Sequence, residues 1–200
     1  MSNPIDVAII DSGGANLASL QFALERLGAR SFVSCDPAAI AAAPRVLLPG
    51  VGAAASAMRR LQECGLDQLI PQLQVPLLGV CLGMQLLFEY SAEADTRCLG
   101  VFPGRIERLS PGPGLPVPHM GWNTLEPLAE DALLAGLRPS DYLYFVHSYA
   151  AVPDRYTLAA VHYGKPLAAI VRRGNFCGAQ FHPERSAASG ARMLRNFLSL

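Results

Sequence analysis

Charge is scarce in this chain and lysine almost absent: only 16% of residues are charged, and Lys165 is the one lysine among sixteen cations matched by sixteen acids. A chain with no net charge and no basic run lacks the electrostatic footprint of a nucleic-acid binder, so no nucleic-acid partner is expected. Long apolar runs are missing too. None approaches the roughly 20 residues that cross a bilayer, so no membrane partner is expected. The opening Met1-Ser2-Asn3-Pro4-Ile5-Asp6 has no basic segment ahead of an apolar stretch, which leads to the expectation of a cytoplasmic protein. Five cysteines, at 35, 64, 81, 98 and 177, are odd in number and never spaced C-x-x-C. That argues against a disulfide framework and a thiolate zinc site, and most of the thiols should be reduced and buried; no metal and no cofactor are expected.

What is plentiful is apolar surface, at 51% of 200 residues, enough at 21.3 kDa to close one core and predict a single domain over 1–200. Val7 to Ile10, Ser31 to Ser34, Val46 to Leu48 and Leu77 to Val80 read as strands. Between and after them, residues 17–27, Ala38 to Ala42, Ala54 to Cys64 and Met84 to Tyr90 carry helical spacing. This rhythm predicts an α/β fold with a mainly parallel central sheet and helices on both faces. After residue 97 the pattern changes. Tyr142 to Val146, Leu158 to Val161, Leu167 to Val171 and Phe176 to Phe181 read as antiparallel C-terminal strands appended at the edge, closed by a helix from about Ala187 to Leu198.

One cysteine differs from the rest. Gly79-Val80-Cys81-Leu82-Gly83 lies where an apolar strand gives way to a helical pattern, matching G-x-nucleophile-x-G with cysteine in the serine position. Such a turn strains the nucleophile's backbone and leaves no room for side chains at the flanking glycines. It presents the thiol at the helix N-terminus, where partial positive charge favours thiolate and the Leu82 N–H can meet an oxyanion. Of four histidines, His182 in Gln180-Phe181-His182-Pro183-Glu184 stands at a strand end. If the segment is extended, Glu184 shares its side and can orient the imidazole, making Cys81, His182 and Glu184 a candidate triad. Pro49-Gly50-Val51-Gly52 follows another strand and can supply the second half of an oxyanion hole around Gly50 and Val51; it lacks the Lys-Ser/Thr ending of a phosphate-binding loop.

These motifs together resemble the class I, or triad, glutamine amidotransferases. The resemblance implies that Cys81 attacks the side-chain amide of glutamine, His182 acts as general acid and base, and water hydrolyses the thioester. Pro118-His119-Met120-Gly121-Trp122-Asn123 and Tyr144-Phe145-Val146-His147-Ser148-Tyr149 resemble, within that family, the glutaminase subunits of imidazole glycerol phosphate synthase. That implies a heterodimer with a cyclase subunit, to which ammonia is delivered for histidine biosynthesis. It also implies substrate contacts from Gly52, Gln85, Glu93 and Ser148, and a partner interface at Asn16, Trp122, Tyr144 and Arg185. Trp122 is read as an interface anchor in a polar, glycine-flanked loop, and His147 as a satisfied structural histidine. Two segments depart from the family's usual pattern: Ser12-Gly13-Gly14-Ala15 after the first strand, and Arg185 where a lysine is customary. Three alternatives stay open at this stage: an amidotransferase of another pathway such as pyridoxal phosphate synthesis, a non-catalytic binding subunit, and a cysteine peptidase on the same scaffold.

Overall fold

Period-two alternation explains the sheet. In β1 (Asp6–Ile10), Val7 and Ile9 enter one apolar cluster while Ala8 and Ile10 enter another, and all four are fully buried. The computed structural model describes residues 6–13 and 17–200. Helices that cover these faces then alternate with strands that extend the sheet: α1 (Leu17–Glu25), β2 (Arg30–Ser34), α2 (Pro37–Ala42), β3 (Arg45–Gly50), α3 (Ala54–Glu63), α4 (Leu66–Leu69), β4 (Leu77–Cys81) and α5 (Leu82–Leu86). Asp36 starts α2 by accepting from the Ala38 N–H at 3.1 Å, with Pro37 in the first turn where its missing N–H costs nothing. In α3, Ala54, Ala57, Met58 and Leu61 recur at helical spacing and form its buried stripe.

The second half of the chain is mostly strand: β5 (Phe88–Ser91), β6 (Thr96–Arg97), β7 (Phe102–Arg108), β8 (His119–Pro127), β9 (Tyr142–His147), β10 (Tyr149–Ala151), β11 (Thr157–Tyr163), β12 (Lys165–Arg173) and β13 (Phe176–Ala179), closed by α6 (Ala187–Leu198). Nine strands form one sheet in the order β2-β1-β3-β4-β13-β12-β11-β8-β9, and β10-β7-β5-β6 form a smaller one. The first five of the large sheet are parallel and the remaining pairs antiparallel. Met193, Leu194 and Phe197 of α6 are fully buried against the face that also holds Val7, Ile9 and Leu24. Each such side chain contributes about 1.5–3 kcal/mol.

The architecture is the expected α/β one, with three corrections. Phe176–Ala179 is not an appended edge strand. It lies in the middle of the sheet, antiparallel to β12 but parallel to β4, because a strand lacking polar residues is stable where both neighbours and both faces cover it. The helix expected over Met84 to Tyr90 is the five-residue α5, and Phe88–Ser91 is a strand. Phe88 is drawn into the smaller sheet, packing on Phe102 with ring centroids 5.4 Å apart. Trp122 stands on β8 rather than in a loop; Gly121, at φ 143°, lets the strand distort without ending it.

Candidate active site

Three adjacent strands end at one rim. Gly50 of β3 is in register with Cys81 of β4, and Val80 pairs with Ala179 of β13, so the ladder brings Gln180 beside Cys81. Cys81 holds φ 54° and ψ −111°, and α5 starts at the next residue. Close packing of this turn requires the glycines. A Cβ on Gly83 would lie 1.7 Å from the Leu48 carbonyl oxygen, and one on Gly79 would lie 2.7 Å from the Gly83 oxygen and Met84 nitrogen. On Gly50 it would meet the Gly83 nitrogen and Leu82 Cβ at 3.0 Å, so β3 can approach the turn this closely only without a side chain there.

Beyond β13 the chain stays alternating for a few residues. Phe181 is fully buried and packs edge-on against Phe145 at 5.7 Å, while Gln180 and His182 turn the other way, toward the thiol. Glu184 reaches His182 by a different route from the extended one expected: Pro183–Arg185 form a single 3-10 turn that folds the carboxylate back, and Oε1 lies 2.8 Å from His182 Nδ1. With Nδ1 donating to this carboxylate, Nε2 is the nitrogen left for chemistry. It is buried and has no hydrogen-bond partner among the described residues. Burial alone would lower the His182 pKa. Interaction with the Cys81 sulfur and the Glu184 carboxylate overcomes that and lifts it to about 10, so at neutral pH the ring carries the proton.

Cys81, Leu82 and His182 line a cavity of about 320 Å³ together with Val51, Gly52, Gln85, Glu93 and Ser148. That is a volume suited to a small polar metabolite. The arrangement contains a thiol at a helix start, a cationic imidazole held by a carboxylate, and backbone N–H groups at two chain turns. This equipment suits acyl transfer through a thioester.

A class-I glutamine amidotransferase family model matches residues 8–200. The chain belongs to this family. It is 56% identical over 195 residues to the protein described as imidazole glycerol phosphate synthase subunit HisH from Xanthomonas euvesicatoria pv. vesicatoria (strain 85-10), covering 98% of each chain. It is 54% identical, again over 98% of each, to the protein of that description from Xylella fastidiosa (strain Temecula1 / ATCC 700964). Among solved structures, one described as a glutamine amidotransferase superposes with TM-score 0.75 at 22% identity, over 96% of this chain and 97% of that one. The structure of PurLQS from Thermotoga maritima gives 0.74 at 16%, over 99% of each.

In this amidotransferase the remaining expected residues occupy varied settings. Glu93 Oε2 accepts from the Ala54 N–H at 2.7 Å. It thereby supplies from a distant loop the cap that α3 lacks, since Ala53 has no side-chain oxygen. Gln85 Nε2 donates to the Tyr149 carbonyl at 2.8 Å and to Gln180 Oε1 at 3.0 Å. Trp122 and Tyr144 are directly opposed on β8 and β9, with rings edge to face at 5.8 Å, and the Arg185 guanidinium covers the Tyr144 ring at 4.7 Å. With Met120 and Tyr142, both well exposed, they make an aromatic surface at the sheet edge. Asn16, Gly14 and Ala15 lie outside the described residues.

His147, read as structural, is buried. Its Nδ1 must donate to the Tyr149 carbonyl at 2.9 Å, so its Nε2 accepts from His119 Nδ1 at 3.1 Å. Burial holds both rings neutral, each pushed down to about 4. All five cysteines are free, and Cys98 and Cys177 are buried like Cys81, whereas Cys35 and Cys64 are half-buried. Three supporting residues escaped sequence reasoning. Ser12 Oγ donates to the Pro49 carbonyl at 2.6 Å and fixes the strand entering the Gly50 turn. Ser186 Oγ donates to the His182 carbonyl at 2.6 Å and accepts from the Tyr144 N–H at 2.9 Å, tying the histidine turn to β9. Gln180, fully buried, faces the thiol. The only signal for them was a polar residue inside an apolar run or just beyond a strand.

Proposed function

We propose that this chain is the glutaminase subunit of imidazole glycerol phosphate synthase, hydrolysing glutamine to glutamate and ammonia for a cyclase partner in histidine biosynthesis. The observation that carries this reading is the convergence of Cys81 and His182 on one cavity, with Glu184 behind the imidazole and 2.8 Å from its Nδ1. In the proposed cycle, Cys81 Sγ attacks the δ-carbon of glutamine, and the oxyanion is received by the Leu82 N–H and the backbone of Gly50 and Val51. The proton on His182 Nε2 passes to the departing nitrogen, releasing ammonia and leaving a γ-glutamyl thioester. Water then loses a proton to His182 as it attacks the thioester, and glutamate leaves with the thiolate restored.

The Glu93 carboxylate suits the substrate's α-ammonium group, and Gly52 and Ser148 line the same cavity. With both Nε2 protons of Gln85 engaged, its contribution to substrate falls to Oε1, an acceptor. Trp122, Tyr144 and Arg185 form the docking surface in this reading. Docking, with a nucleotide ligand in the cyclase, favours the peptide orientation at Gly50–Gly52 that completes the oxyanion hole, so glutamine hydrolysis is slow in the lone subunit.

The test is co-purification with a candidate cyclase, followed by glutamine-dependent turnover of its nucleotide substrate. Cys81→Ala should abolish glutamate release and leave the complex intact. Glutamate release at equal rates with and without cyclase and ligand would contradict the gating. Ammonia accepted instead by a pyridoxal phosphate synthase would contradict the pathway.

A further inference from the structure

Gln180 has no exposed surface, and its carboxamide is oriented by a chain of obligate donors and acceptors. The chain starts at the Tyr149 carbonyl, which can only accept. It receives Gln85 Nε2 at 2.8 Å, which fixes which end of the Gln85 amide carries hydrogen. The other Gln85 proton goes to Gln180 Oε1 at 3.0 Å, so Gln180 must present Nε2 on its far side, and that atom is 3.9 Å from Cys81 Sγ. The sulfur has a second neighbour of opposite character, the Val146 carbonyl at 3.8 Å, which can only accept. A thiol satisfies Val146 by donating, and a thiolate has nothing to give it. Gln180 serves the opposite state.

We propose that Gln180 is a positioning residue for the nucleophile: its Nε2–H, locked from behind by Gln85 and the Tyr149 carbonyl, holds the Cys81 sulfur as thiolate in its attacking orientation. The proposal rests on Cys81 being the nucleophile. The other titratable or charged groups around the sulfur are His182, Glu184 and Arg185 on the turn after β13, His147 at the end of β9, Tyr149 on β10 and Glu93 across the cavity. Of these, His182 also interacts with the sulfur, as its proton partner. His182 stands ready to exchange a proton with the sulfur but does not fix its direction from the β13 side, and His147 is neutral and occupied by His119 and Tyr149.

The experiment is the pH profile of iodoacetamide labelling at Cys81, followed by mass spectrometry of the peptide so that the other four cysteines do not contribute. In Gln180→Leu, which keeps bulk but removes the donor, the labelling midpoint should move up by about one pH unit. Glutamine turnover in the complex should lose kcat about tenfold with KM little changed. Gln180→Glu, nearly isosteric, should move the midpoint further, because an anion would then face the sulfur. A wild-type profile in either folded variant overturns the proposal. If Gln180→Leu does not fold, Gln180→Glu decides; failure of both to fold would make Gln180 purely structural and also overturn it. Labelling requires no glutamine, so a shifted profile in a protein that never hydrolyses glutamine would refute the proposed function while leaving this inference standing.

Discussion

Replacing Cys81 by glycine should make the protein more stable than replacing it by alanine, against the usual order. Cys81 lies at φ 54° and ψ −111°, a positive-φ region well away from the left-handed helical well near ψ of about +47°. A residue with a Cβ is strained there by about 1–3 kcal/mol, and the distance from that well argues for the upper end. Alanine keeps the Cβ and the strain; glycine loses both. Against this, glycine's freedom in the unfolded chain costs about 0.5–1 kcal/mol. The missing methyl, at a site only 6% exposed, costs about 0.8 kcal/mol more. About 1 kcal/mol remains in favour of glycine, or about 2–4 °C in melting temperature for a chain of this size. Thermal denaturation of Cys81→Gly and Cys81→Ala measures it directly, with Cys177→Gly and Cys177→Ala as the control pair. Cys177 is an ordinary residue of β13 with no positive φ, so there the alanine variant should melt higher. If Cys81→Gly melted at or below Cys81→Ala, the claim that the turn stores strain would be wrong.

Other perturbations follow from the same geometry. His182 binds its proton more tightly when folded, with a pKa near 10 against an ordinary 6.5, so its stabilisation is full below about pH 6.5 and drains away as pH rises toward 10. The stability gap between wild type and His182→Gln, read by urea denaturation, should therefore shrink over that window by an amount of order a few kcal/mol; a constant gap would refute the assignment. Gly83→Ala drives a Cβ to 1.7 Å from the Leu48 carbonyl oxygen, a backbone atom with little room to move. It should destabilise the fold by at least about 1–3 kcal/mol and slow Cys81 labelling, and a fully active Gly83→Ala protein would show the turn to be looser than described. Trp122→Ala should weaken cyclase binding by about 10- to 100-fold in titration calorimetry while leaving Cys81 labelling unchanged. Undiminished affinity would place the interface elsewhere.

The parts of this molecule legible in its sequence are those whose chemistry is local. G-x-C-x-G after an apolar strand needs only neighbouring residues to define its turn, and the structure adds the contacts that make Gly79 and Gly83 obligatory. His182 and Glu184 were legible as a pair because they are two residues apart, although a 3-10 turn rather than extended chain joins them. Pairing partners were not legible. Phe176–Ala179 has the apolar composition of any buried strand, and nothing in it specifies that β4 lies beside it in parallel. β8 is not legible because its residue types run against its burial: exposure alternates along the strand, but the exposed positions carry Met120 and Trp122 while the inward ones carry His119, Gly121 and Asn123. Gln180 acquires meaning only through Gln85, 95 residues away in the chain, and through a carbonyl that no side-chain pattern could reveal.

The proposed function turns on a sulfur and an imidazole sharing one rim, and covalent trapping by a reactive glutamine analogue in the presence of the cyclase tests that most directly. Intact-mass and peptide analysis should find a single adduct on Cys81, absent from Cys81→Ala and formed far more slowly in His182→Gln. An adduct on another cysteine, or none on a folded chain that still binds the cyclase, would contradict it.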